Sequence, residues 1–97
     1  MTEATSTTGQ ILFVDGPLRT PVGTALRHRV RWLIRRGERR IVLDLTLVPR
    51  IDAAGLGELV RLYNMARAVD GTLRVVNSSV WVRALIQRVG LGDFLLA

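Results

Sequence analysis

The sequence has 97 residues, of which 48% are hydrophobic, and its 14 basic and 8 acidic residues give a net charge of +6. This length fits one small domain with a single core, and the hydrophobic content argues against a disordered chain. Cysteine is absent, which excludes disulfides, thiolate nucleophiles and cysteine-based zinc sites. No apolar run reaches the roughly 18–20 residues of a membrane-spanning helix. The first ten residues do not form a secretory signal, so we expect a cytoplasmic protein.

All 14 basic residues are arginine. Their excess over acidic residues would attract an anionic partner such as nucleic acid, acidic lipid or an acidic protein surface. A bias in composition can also produce an all-arginine chain that has no binding role. Charge alone therefore leaves the partner open.

The first elements are predicted from local patterns. Residues 1–9 form either a flexible tail or a short edge strand, and residues 10–97 form a single domain. A β-rich run at residues 10–16 predicts a strand. Thr20 as N-cap and Pro21 as first helical residue then predict a helix that ends near residue 37. The apolar face of this helix comprises Val22, Leu26, Val30 and Leu33.

The rest of the chain continues the alternation of strand and helix. Within residues 39–48, Ile41, Val42, Leu43 and Leu45 form a nearly continuous apolar run, which is typical of an interior strand of a parallel sheet. Helix, strand and helix follow, and Gly90 ends the last helix. The order β-α-β-α-β-α predicts an α/β fold with a small mixed β-sheet and helices mainly on one face. The later elements are a helix at residues 53–69, a strand at 72–76, and a helix after the cap cluster 77–79 whose apolar stripe comprises Val82, Leu85, Ile86 and Val89.

No set of residues predicts catalysis or a cofactor. Gly55 and Gly57 suggest a dinucleotide loop, but the third glycine of that motif is replaced by Val60. A phosphate-binding P-loop needs a lysine, which the chain lacks. His28 has no partners for a metal site. Asp44 and Asp52 could form a carboxylate pair for acid–base work, but no second polar group accompanies them. We therefore expect a non-enzyme without metal or cofactor.

The stretch "PRIDAAGLGELV" (residues 49–60) joins the central strand to the second helix. Asp52 is predicted to cap this helix by accepting a backbone N–H of its first turn. Alanine and glycine at positions 53, 54, 55 and 57 leave the helix N-terminus open to an approaching surface, and its positive dipole end suits a carboxylate or phosphate. The same small residues could instead serve only close packing of helix and sheet.

Residues 39–95 resemble a STAS domain of the anti-sigma factor antagonist type. The resemblance rests on the apolar strand, a helix start similar to D-[ST]-[SA]-G-L-G, the glycine before the next strand, and "GL" after the third helix. It implies a small sheet-and-helix module that acts by partner switching. In this family the unphosphorylated protein binds an anti-sigma factor, often a GHKL-type serine kinase, and thereby frees a sigma factor for transcription. Phosphorylation of the hydroxyl residue after the motif aspartate breaks that complex.

The resemblance implies a partner-binding surface and two departures from the family pattern. Ala53 stands at the phosphorylated position and has no oxygen to receive a phosphoryl group, so the phosphorylation site is lost. Arg19 stands where many relatives carry an acid in a loop near that site. The implied partner-binding residues are Arg19, Asp52, Ala53, Ala54, Gly55, Leu56, Gly57 and Glu58.

Other functions stay open alongside this one. The chain could be a STAS accessory subunit of a transporter, of the lipid-transport type. It could also bind an anionic surface or nucleic acid through a basic ridge of Arg27, Arg31 and Arg35, which recur at four-residue spacing. Such a ridge is usually a solvated face, so nucleic acid is not the expected partner. Assembly into a homodimer is left open.

Overall fold

The computed structural model describes residues 2–6, 9–15 and 22–96. Within these residues the chain forms four strands and four helices in the order β-β-α-β-α-β-α-α. The strands are β1 (Thr2–Ser6), β2 (Gly9–Asp15), β3 (Arg40–Leu47) and β4 (Thr72–Val76). The helices are α1 (Val22–Arg35), α2 (Ala53–Arg67), α3 (Val80–Arg88) and α4 (Gly92–Leu95).

The described strands form one mixed sheet in the order β1-β2-β3-β4. β1 pairs antiparallel with β2, whereas β2 with β3 and β3 with β4 pair in parallel. Each parallel pair is joined by a helix, and right-handed crossovers that advance in one direction place α1 and α2 on the same face of the sheet. The predicted α/β fold class with a mixed sheet is confirmed.

One face of the sheet forms the core. In register, Leu12 lies opposite Leu43, and Leu43 opposite Val75; all three are at most 1% exposed. The helices add their apolar sides to this face. Side chains alternate along a strand, so the neighbouring row of Ile11, Val42 and Arg74 points to the other face. These three side chains are half-buried or exposed. The helical part of the core comprises Leu26, Val30, Leu33, Leu59, Leu62, Ala66, Val82, Ile86 and Leu95.

The structure contains β1, one of the two alternatives left open for residues 1–9, and α4, which the predicted order lacks. β1 is polar and has no alternation of apolar residues, so its strand depends on pairing with β2. α4 is a single turn of four residues that begins with a glycine, too short for a periodic signal. Leu96, directly after α4, forms a parallel bridge with Val75 at the edge of the sheet. The end of the chain therefore packs along β4.

The described helices end close to their predicted ends. The predicted cap Thr20 and first residue Pro21 lie outside the described residues. Val89, placed in the stripe of the third helix, is 47% exposed because α3 ends at Arg88 and Val89 is its C-cap. Phe94 in α4 is 49% exposed and makes an edge contact with the ring of Tyr63.

Gly71 is required where α2 turns into β4. A Cβ added here would lie 2.6 Å from the carbonyl oxygen of Arg39. The backbone is this close because the Gly71 N–H donates to Ala66 at 2.7 Å and the Thr72 N–H donates to Arg39 at 2.7 Å. These bonds fix the start of β4 beside β3, opposite the end of the sheet that carries the candidate site.

Candidate functional site

The junction between β3 and α2 is built on Asp52. Its backbone is extended (φ −101°, ψ −177°), and its Oδ1 accepts the Gly55 N–H at 2.7 Å. The Leu56 N–H donates to the Asp52 carbonyl at 2.9 Å and starts the α-helical ladder. The prediction that Asp52 is an N-cap is confirmed. The cap fixes where α2 begins and the direction in which its first turn faces.

The first turn of α2 presents small side chains to solvent. Ala53, Ala54 and Gly57 are exposed, and a Cβ added at Gly57 would meet no atom within 4 Å. Gly55 is buried, and Leu56 is half-buried against the core. The implied partner-binding set therefore divides. Three small residues and Asp52 form an open surface, whereas Gly55 and Leu56 support it from beneath.

Glu58, also implied as a partner-binding residue, points into the protein. It is 8% exposed, and its two carboxylate oxygens accept from Arg27 Nε at 2.8 Å and Nη2 at 2.9 Å. Arg61 Nη1 lies 3.9 Å from the same carboxylate. Hydrogen bonds from Arg27, opposed by burial and aided by both positive charges, hold the pKa of Glu58 below its ordinary value. The carboxylate is thus occupied within the chain and is not open to a partner.

This pair also corrects the predicted basic ridge. Arg27 turns toward α2, and the Glu58 carboxylate raises the pKa of its guanidinium. Arg31 and Arg35 are exposed and line a shallow notch of about 280 Å³ together with His28 and Trp32. Exposed arginines of α1 therefore lie beside the exposed indole ring of Trp32. Arg19, expected near the site, lies outside the described residues.

An apolar groove adjoins the junction, and sequence reasoning missed it. Trp81 is 82% exposed and Val80 80% exposed at the start of α3, and Leu47 at the end of β3 is 55% exposed. The groove has a volume of about 470 Å³. Large exposed apolar side chains that cluster beside an open cleft are typical of interaction surfaces. The groove is lined by Pro49, Arg50, Ile51, Trp81, Val82 and Leu85.

The signal for this groove was in the sequence. Trp81 lies at the edge of the apolar stripe of the third helix and Val80 on the opposite side, so they could not both face the core. Ser79 explains the helix start, because its Oγ accepts the Val82 N–H at 3.2 Å. What the sequence could not provide is the neighbour across the groove, which is the loop before Asp52.

Asp44 holds the loops at this end of the sheet together. It is 7% exposed and accepts from the Thr46 N–H at 2.9 Å, the Thr46 hydroxyl, and Asn77 Nδ2 at 2.9 Å. Burial raises the pKa of Asp44, but the hydrogen bonds from Thr46 and Asn77 together hold it below its ordinary value. Asp44 thereby ties β3 to the loop that precedes α3, which carries one wall of the groove.

Across residues 2–6, 9–15 and 22–96, no three histidine, aspartate or glutamate side chains cluster closely enough to hold a metal ion. Asp44 accepts hydrogen bonds from Thr46 and Asn77, and Asp52 accepts one from the Gly55 N–H, so both carboxylates are engaged in bonds that hold the loops. What the arrangement offers chemically is a capped helix start, small exposed side chains and an apolar groove. In the described part of the chain, no helix is both long and apolar enough to cross a membrane.

Comparison with known proteins agrees with this architecture. The sequence model of the STAS domain family matches residues 2–96, so the chain belongs to the STAS domain family. No curated protein matches the sequence.

Solved structures with the same fold include two states of one relative. The unphosphorylated anti-sigma factor antagonist SpoIIAA superposes with a TM-score of 0.75 at 16% identity, over 99% of this chain and 86% of that one. Phosphorylated SpoIIAA, a Bacillus cell fate determinant, gives 0.76 at 21% identity, over 98% and 87%. A sulfate transporter family protein from Wolinella succinogenes gives 0.75 at 22% identity, over 86% and 67%. At these identities the comparisons establish a shared fold.

Proposed function

We propose that this chain is a non-catalytic, cytoplasmic interaction module of the anti-sigma factor antagonist type. Its partner would be an anti-sigma factor or GHKL-type serine kinase, bound at the start of α2. The surface comprises the exposed residues Asp52, Ala53, Ala54 and Gly57. The single observation that carries the proposal is Ala53: an exposed methyl group occupies the first helical position, directly after the capping aspartate.

The absence of a hydroxyl at Ala53 determines the regulation that we propose. In a serine-bearing relative, a phosphoryl group here would add about −1.5 to −2 charges. In an interface it would have to be desolvated beside the Asp52 carboxylate, and repulsion would break the complex. Alanine accepts no phosphoryl group. The surface of this protein therefore stays in its binding form, and release depends on another input, such as the amount of partner.

The apolar groove enlarges this surface to the size of a recognition site. It begins at Pro49, three residues before Asp52, and ends at Trp81 on α3. Tryptophan is enriched among residues that dominate binding energy, because it buries a large rigid area in one contact. Arg50 is the one charged side chain in the lining, so the groove suits an apolar side chain with a carboxylate beside it. A partner bound at Ala53 would cover both features.

Two internal contacts hold the surface in place before a partner arrives. The Asp52 cap fixes the first turn of α2, and the pair between Arg27 and Glu58 anchors the second turn to α1. A surface that is already ordered loses less conformational freedom on binding. This supports a preformed docking surface rather than a loop that folds on its partner.

A second candidate is an accessory subunit of a transporter. The shared fold with a sulfate transporter family protein favours it, and such a role would not need a hydroxyl at position 53. The two candidates use the same exposed surface but differ in the partner. A sulfate transporter family protein offers a membrane protein, whereas SpoIIAA is an anti-sigma factor antagonist.

Affinity capture from lysate of the source organism tests both candidates. Wild-type protein is compared with Gly57→Arg, which places a large cation on the open surface at a position where an added Cβ meets no atom within 4 Å. We expect wild-type protein to recover a GHKL-type kinase or anti-sigma factor, and Gly57→Arg to lose it. Recovery of a transporter ATPase subunit instead would favour the second candidate. Recovery of the same proteins by both forms would contradict the proposed surface.

A further inference from the structure

The outward side of α1 is a separate charged and aromatic surface. Arg31 and Arg35 lie one helical turn apart, and His28 and Trp32 occupy the neighbouring positions of the same notch. All four side chains are exposed. They lie opposite the side of α1 that is buried in the core, which comprises Leu26, Val30 and Leu33. We name these four residues, with Arg36 in the next turn, the α1 outer face.

Trp32 is held in position by two arginines. The guanidinium carbon of Arg29 lies 4.9 Å from the centre of the indole ring, and that of Arg36 lies 4.6 Å from it. Cation–π contacts at these distances orient both partners. The indole is nevertheless 41% exposed. A large aromatic ring is therefore ordered at the surface although it contributes nothing to the core.

The described acidic side chains do not pair with Arg31 or Arg35 of the α1 outer face. Among the described residues, neither Arg31 nor Arg35 forms an ion pair or a hydrogen bond to an acidic side chain. Arg27, one turn before Arg31, is different because its guanidinium forms an ion pair with the Glu58 carboxylate. The fold thus neutralises the arginine that faces α2 and leaves the outward ones to solvent. Two adjacent guanidiniums without counter-charges form a strong local site for an anionic ligand.

We propose that the α1 outer face binds single-stranded nucleic acid: a base displaces the Arg36 guanidinium from the Trp32 ring, and Arg31, Arg35 and the released Arg36 contact successive phosphates. Guanidinium groups pair with phosphate oxygens through paired N–H donors. Aromatic rings and arginine planes stack with bases that are not already stacked in a duplex. The combination of an exposed indole with neighbouring exposed arginines favours a ligand that carries both phosphates and planar rings.

Two other anionic partners fit less well. A membrane-bound amphipathic helix buries a broad apolar face in lipid, but the apolar side of α1 is already buried in the core, which leaves Trp32 alone to insert. An acidic peptide would pair with the arginines but offers no planar group to stack on the indole. The nucleic-acid surface is independent of the docking surface at Asp52, since it uses a different helix and different side chains.

The test is fluorescence anisotropy with a labelled 12-nucleotide oligo(dT), a duplex of equal length, and labelled poly-glutamate, with phosphatidylglycerol vesicles assayed by sedimentation. The variants are Arg31→Gln/Arg35→Gln and Trp32→Ala. The control is Arg67→Gln/Arg88→Gln, which removes the same charge at two exposed positions on α2 and α3. Circular dichroism and thermal unfolding verify that all forms are folded.

We expect oligo(dT) to bind with log K falling against log salt with a slope of about −2, as three phosphate contacts on a single strand require. Arg31→Gln/Arg35→Gln should weaken binding at least about tenfold and reduce the slope by about 1.4. Trp32→Ala should weaken it about fivefold or more, with a smaller effect on the slope. The control should change affinity less than about threefold.

Three results would overturn the proposal. The first is no binding to oligo(dT) at low salt. The second is an equal loss of affinity for oligo(dT) in the control and in Arg31→Gln/Arg35→Gln, which would show that net charge alone attracts the oligonucleotide. The third is tighter binding to vesicles, poly-glutamate or duplex than to oligo(dT), which would assign the surface to a lipid, an acidic protein or a duplex instead.

Discussion

Glu58 and Arg27 form a two-point ion pair that joins α2 to α1, with oxygen–nitrogen distances of 2.8 and 2.9 Å. The pair lies one turn after the exposed alanines of the candidate docking surface. The pair neutralises both charges near that surface and fixes the position of α2 relative to α1. The bidentate geometry matters because the planar guanidinium fixes the orientation of the carboxylate as well as its distance.

Glu58→Gln should destabilise the protein by about 1–2 kcal/mol at pH 7, since a largely buried charged hydrogen-bond acceptor is lost. Folding lowers the pKa of Glu58. The stabilising contribution is therefore fully present above the pKa of an unfolded glutamate, about 4.3. It is lost as the pH falls through the lower pKa of the folded protein. The difference in unfolding free energy between wild type and Glu58→Gln should therefore shrink below about pH 4.

Urea denaturation at several pH values measures this difference. Asp93→Asn, at an exposed position in α4, is the control and should leave stability nearly unchanged at every pH. A Glu58→Gln protein as stable as wild type at pH 7 would refute the supporting role of the pair.

Two substitutions at Asp52 separate its cap from its charge. Asp52→Ala removes the acceptor for the Gly55 N–H and should cost about 1 kcal/mol of stability, as measured by thermal unfolding. Asp52→Asn keeps a capping oxygen and should stay close to wild type in stability. If the partner recognises the carboxylate, Asp52→Asn should still lose affinity. Equal destabilisation by both variants would contradict the capping role.

Trp81→Ala tests the groove. Because Trp81 is 82% exposed, its removal should change stability by less than about 0.5 kcal/mol. If Trp81 is a central anchor of the interface, Trp81→Ala should weaken binding of the captured partner by at least about tenfold, which corresponds to a loss of about 1.4 kcal/mol. Val89→Ala, at an exposed position after the same helix, is the matched control. Calorimetric titration that finds both variants equal to wild type would exclude the groove from the interface.

Much of the fold could be predicted from the sequence because local patterns and tertiary packing agree. The continuous apolar run in β3 and the glycine before β4 match buried parallel strands, and β4 occupies Thr72–Val76 as predicted. β1 could not be predicted with certainty, because its residues are polar and pairing with β2 alone makes them a strand. α4 is too short to show a helical period.

The candidate site could be predicted only in part. Asp52 was recognisable because its cap bonds to a residue three positions away. The partner of Glu58 lies 31 residues away on another helix, and no local pattern indicates such a contact. For the same reason the groove was missed, since Trp81 meets the β3–α2 loop only after the sheet has formed. Asp44 and Asn77, 33 residues apart, show how the fold then fixes that loop beside α3.

The central claim is that position 53 decides whether the docking surface can be switched off. The measurement is partner affinity before and after incubation with the captured kinase and Mg–ATP, for wild type and for Ala53→Ser. We predict that wild-type affinity stays within about twofold, whereas Ala53→Ser becomes phosphorylated and loses at least about tenfold, the effect of about 1.4 kcal/mol of repulsion and desolvation. A wild-type protein that loses affinity after incubation, with phosphate found by mass spectrometry on Ser78 or Ser79, would contradict the claim.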